Sequence, residues 1–214
     1  MKIKALIPAR SGSVRVPNKN IRPFAGSTLL ELKIKQLLQI PALHGVVVNS
    51  NSDEILAMAR KAGAETVKRD EKYATSDVPM NDVYKHLAEN IHCDLVLFAD
   101  CTNPLIKTAT VEALLATPFG EHDSINTAHL IKENLWKDGK PMNYDPMYHP
   151  RSQDLPDIFA LNFAASLIER KNMIACRNIV GKKPLLFKIS GEEGLDIDNP
   201  LDFTMAEYLF QKSY

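Results

Sequence analysis

Three short apolar runs decide most of what this chain can fold into. They are Lys2 to Pro8 (KIKALIP), His44 to Ser50 (HGVVVNS) and Asp94 to Asp100 (DLVLFAD). Each is rich in Ile, Val or Leu and reads as a strand buried on both faces. Between them, Thr28 to Ile40, Asp53 to Ala62 and Pro79 to Asn90 read as helices, with Ser52 placed to cap the second. Glu65 to Arg69 and Ser124 to Leu130 read as further strands, and Thr108 to Ala116 as a helix. Leu161 to Glu169 and Leu185 to Ser190 are strand-like, and Asn199 to Lys212 closes the chain as an amphipathic helix. Strands that alternate with helices predict an α/β domain with a mainly parallel central sheet. Ligands of such sheets sit beyond the carboxyl ends of the strands. That points to the loops after Pro8, Ser50, Arg69 and Asp100.

Composition narrows the function classes. The 214 residues are enough for one domain with a sizeable core. Lys+Arg 26 balances Asp+Glu 26, so bulk charge argues for neither nucleic acid nor an anionic membrane as partner. No apolar run approaches the ~20 residues that span a bilayer. The start, MKIKALIPAR, lacks a secretory pattern, so the expected location is the cytoplasm. Cys93, Cys101 and Cys176 form no CxxC pair, against a disulfide framework or cysteine zinc site. From Glu133 to Ala160 the periodicity breaks, with four prolines and Trp136, Tyr144, Tyr148 and Phe159. Such a stretch reads as a hairpin or arm that docks on a second subunit, or as a loose insertion.

The loop after the first run, IPARSGSVRVPNKN, carries the chemistry. Ser11, Gly12 and Ser13 are small enough for backbone N–H groups to approach an anion. Arg10, Arg15 and Lys19 add positive charge, and Arg grips phosphate oxygens in a fork. The first 30 residues hold six Lys/Arg, and the first acid is Glu31. From charge alone, a polyphosphate cradle and a solvated basic loop are both compatible. A Walker loop and a GxGxxG fingerprint are absent. Near the other end, GLDIDNPLDF offers Asp196 and Asp198, two apart and so facing one way on extended chain. Carboxylates of that kind, with phosphate oxygens, suit Mg²⁺. They are equally placed to bond a loop or, with Asn199 and Pro200, to start the last helix.

Ile7, Pro8, Ala9, Arg10, Ser13, Arg15, Val16, Pro17, Lys19 and Asn20 resemble the opening signature of the cytidylyltransferases that activate acidic sugars. These are the CMP-sialic, CMP-pseudaminic, CMP-legionaminic and CMP-Kdo synthetases. PFAGSTLLE, VVVNSNSDEI, VKRDEKYATSD, DLVLFADCTNPLI, RSQDLPDIFALNFA and LDIDNPLDFTMAE continue the similarity in order over nearly the whole chain. The resemblance implies a three-layer, Rossmann-like nucleotidyltransferase fold over residues 1–214, with 133–160 as an inserted dimerisation arm and a homodimer as the assembly. It implies CTP and an acidic 2-keto sugar as substrates and Mg²⁺ as cofactor. Arg10, Ser13, Arg15 and Lys19 then bind phosphates, with Ser11 and Gly12 in the same cradle. Asn20 and Arg69 hold the nucleotide, and the backbone of Pro8 and Ala9 meets the base. Arg151, Gln153 and Asn162 meet the acceptor, with His129 and His149 as further candidates for its pocket. His44, His86 and His92 are packing or surface residues.

In the related cytidylyltransferases of isoprenoid synthesis, an Asp at a strand end four residues before a Pro binds the metal; Asp100 and Pro104 match that spacing. The metal set implied is therefore Asp198 with Asp100, and Asp196 beside them. Arg10, Arg15 and Lys19 would offset charge on the leaving pyrophosphate, and Asp100 or a water on the metal would take the proton. Val14, Asn51, Ile106 and the Asn162-Phe163 pair depart from the family pattern. Such departures leave room for another base or acceptor, or for a nucleotide-sugar-binding relative without catalysis.

Overall fold

The computed structural model describes residues 1–213, and Tyr214 of the expected 1–214 domain lies outside the described residues. In chain order the elements are β1 (Ile3–Pro8), β2 (Pro23–Phe24), β3 (Ser27–Thr28), α1 (Leu29–Leu38), β4 (Val46–Ser50), α2 (Asp53–Lys61) and β5 (Glu65–Lys68). There follow α3 (Met80–Glu89), β6 (Leu95–Phe98), α4 (Thr108–Ala116), β7 (Ser124–Ile131), β8 (Trp136–Lys137) and β9 (Lys140–Pro141). The chain ends with β10 (Ile158–Glu169), α5 (Arg170–Cys176), β11 (Pro184–Lys188) and α6 (Pro200–Ser213).

Seven strands form one sheet in the order β11-β7-β10-β6-β1-β4-β5. β1 pairs in parallel with β4 and β6, β4 with β5, and β11 with β7. Only β10 runs antiparallel to its neighbours, β6 and β7. Alternate side chains divide between two cores, as the period of a strand demands. Ala5, Ile7, Leu95 and Leu97 pack with Leu30, Ile34, Ile55, Leu114 and Phe203, which come from α1, α2, α4 and α6. Leu6, Val96 and Phe98 pack with Val83, Leu87 and Met173 from α3 and α5 on the other side. The sheet is thus the middle of three layers.

Local rules set the helix ends. Thr28 Oγ1 accepts from Glu31 N at 3.2 Å, and Ser52 Oγ accepts from Ile55 N at 3.4 Å, so both helices start on a capping side chain. At α6, Asn199 Oδ1 accepts from Leu201 N and Asp202 N, while Asp202 Oδ2 accepts from Asp198 N and Asn199 N. Capping falls to Asn199 and Asp202, which leaves the Asp198 carboxylate available for other work.

Three features depart from the sequence reading. The loop from Ala9 to Ser27 contains the β2–β3 pair, which turns at Ala25 and Gly26, both with positive φ. That turn buries Phe24 against Phe203 and Phe210 of α6, with ring centroids 5.4 and 5.5 Å apart. The segment Arg170–Cys176 is helical although only Met173 in it is buried, so it carries no periodic signal. Within 133–160, Trp136–Lys137 and Lys140–Pro141 pair as a small hairpin, in line with the sequence reading, but the stretch from Ile158 already belongs to β10. Trp136, Met142, Met147 and Tyr148 of this segment are exposed.

Candidate active site

The carboxyl ends of β1 and β6 open on a cleft of about 540 Å³. Pro8, Arg10, Ser13, Arg15, Lys19 and Asn20 line it on one side, Asp100, Thr102 and Asp198 on the other. A second cavity of about 340 Å³ shares Pro8, Arg10, Ser76, Met80 and Asp100 with the first, and adds Arg69, Tyr73, Thr75 and Tyr84. The basic loop and the carboxylates therefore meet in one place, although Arg15 and Asp198 are 183 positions apart in the chain.

The cationic wall is braced by hydrogen bonds. Arg10 Nη1 donates to Ala74 O at 2.8 Å. Arg69 is 3 % exposed and donates through Nε to Asn49 Oδ1 at 2.7 Å and through Nη2 to Asn49 O at 3.1 Å. Burial, then the Arg10 charge, brings the Arg69 guanidinium down to about 10. A guanidinium whose basicity is lowered by burial and by a second guanidinium favours an anion beside it. Lys19 Nζ donates to Ile197 O, within the acidic segment itself. Asn20 takes a bond from Cys101 Sγ at 3.2 Å and gives one to Arg10 O at 3.3 Å, so it ties the basic loop to the end of β6.

The acidic wall is crowded instead. Burial raises the Asp100 carboxyl to about 7, and the Asp196 charge adds to the rise against the pull of Lys19, Lys33 and Arg69. Burial also raises Asp196, with the Asp198 charge adding to it; a hydrogen bond from the Thr102 side chain and the Lys19 charge oppose the rise. Asp198 Oδ1 is paired with Arg15 Nη2 at 2.6 Å, both side chains being largely exposed. Among the described residues, no three His, Cys, Asp or Glu side chains converge into a metal cage. Mg²⁺ does not need one: it takes one or two carboxylates and completes its shell with phosphate and water. A carboxyl raised by burial, and further by a neighbouring carboxylate, is a place where a divalent cation fits.

Other expected residues stand elsewhere. Ser11 and Gly12 do not line the main cleft but a small cavity with Ser52, Glu54 and Ile55 at the start of α2, which adjoins the cleft through Arg10, Ser13 and Asn20. Ser11 N and Oγ meet Asn51 Oδ1 at 3.1 and 3.3 Å, and Asn51 Nδ2 donates to Glu71 Oε2 at 3.0 Å. That last bond explains the amide at this position, since an Asp would repel Glu71. Ala9 is fully buried, and its N–H is spent on Asn49 O at 3.0 Å. Ile106 is fully buried and belongs to the core, which accounts for an apolar residue there.

On the acceptor side, Asn162 is 7 % exposed, and its amide is used internally. Its Oδ1 accepts from Thr127 Oγ1 at 2.7 Å and Ala164 N at 3.2 Å, and its Nδ2 lies 3.3 Å from His129 Nδ1. A Cβ on Gly194 would come within 2.4 Å of Asn162 Nδ2, so only glycine lets that loop close on the amide. Arg151 and Gln153 are exposed on a short turn where Arg151 pairs with Asp154 at 2.7 Å, and neither lines the cleft. His129 and His149 do not line it either. His86 stacks on Tyr73 at 4.0 Å and acts as packing behind the second cavity.

Sequence reasoning passed over Ser76, Met80, Thr102, Tyr73 and Tyr84, which complete the walls. Four of them lie in or after the loop beyond Arg69, at a carboxyl end already expected to carry ligand; their own residue types gave no further signal.

A family model described as cytidylyltransferase matches residues 4–135, more than half of the chain. The chain is 29% identical over 235 residues to the CMP-N,N'-diacetyllegionaminic acid synthase of Legionella pneumophila, covering 99% of this chain and 97% of that protein. It is 26% identical over 224 residues to the post-translational flagellin modification protein B of Campylobacter coli, covering 98% and 95%. In three dimensions it overlays a CMP:2-keto-3-deoxy-manno-octonic acid synthetase complexed with CTP, with a TM-score of 0.75 over 100% of both chains at 15% identity. At that identity the overlay speaks for the fold, and the matched segment holds β1 to β7, with Arg10, Lys19, Arg69 and Asp100 inside it. The chain belongs to the cytidylyltransferase family.

Proposed function

We propose that the protein couples CTP to the anomeric hydroxyl of an acidic 2-keto sugar, giving a CMP-sugar and pyrophosphate. The observation that carries this reading is the convergence of Arg10, Arg15 and Lys19 with Asp100 and Asp198 on one cleft. A triphosphate needs the first group, and the divalent cation that accompanies it needs the second. Relatives named for CMP activation of legionaminic acid and of Kdo supply the substrate class.

In this reading the triphosphate lies along Arg10, Ser13, Arg15 and Lys19, with Asn20 fixing the loop and Arg69 at the nucleotide end. The sugar oxygen attacks the α-phosphorus in line. A new P–O bond forms, the bond to the β-phosphate oxygen breaks, and pyrophosphate leaves. Catalysis is then mostly positioning and charge stabilisation. Asp100, or a water on the cation, would take the proton from the attacking hydroxyl. Asp198 and Asp100 would hold Mg²⁺, with Asp196 behind them. When bound, the cation neutralises phosphate charge and makes the hydroxyl more acidic. The acceptor's carboxylate falls to basic groups from the exposed 133–160 arm, Arg151 first, once two chains pair through it.

The test is pyrophosphate release from CTP, UTP, ATP and GTP with Mg²⁺ across sialic, pseudaminic, legionaminic and Kdo acceptors. Release restricted to CTP and one or more of these sugars supports the reading. Saturable CTP binding with no release for any of them refutes catalysis and favours a nucleotide-binding relative. Release with another nucleotide refutes the base assignment.

A further inference from the structure

A cavity of about 220 Å³ lies on the helical side of the molecule, between α1, the start of α4 and the end of α6. It shares no residue with the cleft or the cavity that adjoins it. Leu32, Pro104 and Phe210 give it apolar walls. Lys33 lines it, and Lys35, Gln36, Gln39 and Thr108 complete the polar part. Among the described residues that line it there is no carboxylate.

Lys33 is unusual. It is 3 % exposed and has no ion pair among the described residues. Its Nζ donates to Asn103 O at 3.0 Å and to Gln36 Oε1 at 2.9 Å. An ammonium has three donors, and both of these partners are neutral. Burial brings the amine down to about 8, against the opposing pull of Cys101 and Asp100, so it is still largely charged at neutral pH. Asp100 pulls on it from the end of β6 without an ion pair, so one donor is unspent among the described residues, and a desolvated donor of that kind attracts an anion more strongly than a solvated one does.

We propose that this cavity is a binding site for a small amphipathic carboxylate, which seats its apolar body on Leu32, Pro104 and Phe210 and its anionic end on Lys33. The volume accommodates on the order of ten non-hydrogen atoms, an aromatic or branched acid rather than a nucleotide. The ammonium that anchors it also holds the carbonyl of Asn103, three residues after Asp100. The cavity and the catalytic cleft therefore share one connection, the loop from β6 to α4.

Benzoate and benzamide are the probes, matched in shape and different in charge, titrated into the full chain by protein-observed NMR. Expected is saturable benzoate binding, on the order of millimolar, with shifts on α1 and α6 and affinity about tenfold above benzamide. Lys33→Met should erase the difference between the probes, and Leu32→Trp, which fills the cavity and leaves the lysine, should abolish binding of both. Equal affinity for the two probes, or no saturation by either, overturns the proposal. So does benzoate binding that survives Leu32→Trp, which would put it in the cationic cleft. None of these readouts involves nucleotide transfer, so failure here leaves the proposed activity standing, and the reverse holds.

Discussion

The two walls of the cleft are built by opposite strategies. The cationic wall is satisfied: Arg10, Arg69 and Lys19 each give at least one donor to a protein oxygen on a neighbouring segment. The acidic wall is frustrated: burial raises the proton affinity of Asp100 and Asp196, the Asp196 charge adds to the rise at Asp100 and the Asp198 charge to that at Asp196, and Asp198 leans on an exposed arginine. Positive groups can be held rigidly by carbonyls without losing charge. Carboxylates packed together cannot all ionise without a cation. The fold therefore carries its instability on the acidic side and its order on the basic side, and substitutions on the two walls should separate stability from activity in opposite directions.

Asp198→Asn gives the largest expected effect. Turnover should fall by at least about a hundredfold, the loss typical of a missing charge at a phosphoryl-transfer centre, while the melting temperature holds or rises. Undiminished pyrophosphate release would remove Asp198 from the metal site. On the other wall, Arg10→Met should cost about ten- to a hundredfold in kcat/KM for CTP and should also lower the melting temperature, because the bond to Ala74 O goes with it. A loss of activity with no loss of stability would show that the brace is dispensable and the two walls are alike.

The third prediction concerns pH. The Asp100 carboxyl is raised to about 7 by burial and by Asp196, whereas an unfolded Asp titrates near 3.9. Its protonated form is favoured in the fold, so its contribution to stability is full below the unfolded value and is lost as pH rises through about 7. Asp100→Asn should therefore gain about 1–3 kcal/mol over wild type at pH 8 and little at pH 4, measured by urea denaturation without metal. A gain independent of pH would break the comparison. The smallest effect is a control away from both walls: Ser52→Ala removes the cap of α2 and should cost about 1 kcal/mol with kcat unchanged.

The parallel half of the sheet was legible because its strands are buried on both faces and its helices start on recognisable caps. Thr108 to Ala116 matched to the residue, and Ser52 caps where it was expected to. The basic loop was legible for another reason: charge and small residues follow a strand end, and the fold leaves few places for them to go. What the sequence hid depends on contacts between distant segments. Asn162 resembles a recognition residue, yet Thr127 and His129 claim its amide. Phe163 takes a left-handed backbone, φ 54, inside the irregular stretch of β10 between Leu161 and Ser166, where periodicity predicts plain strand.

The pairing of Arg15 with Asp198 has a kinetic consequence. Both partners are mostly in solvent, and ion pairs of that kind are worth about 0–1 kcal/mol. A latch so shallow opens on the scale of thermal motion. Under the proposed function the arginine would leave for an incoming phosphate, and its departure would uncover the oxygen that a cation takes, so nucleotide and metal would load more easily as one unit than as successive visitors.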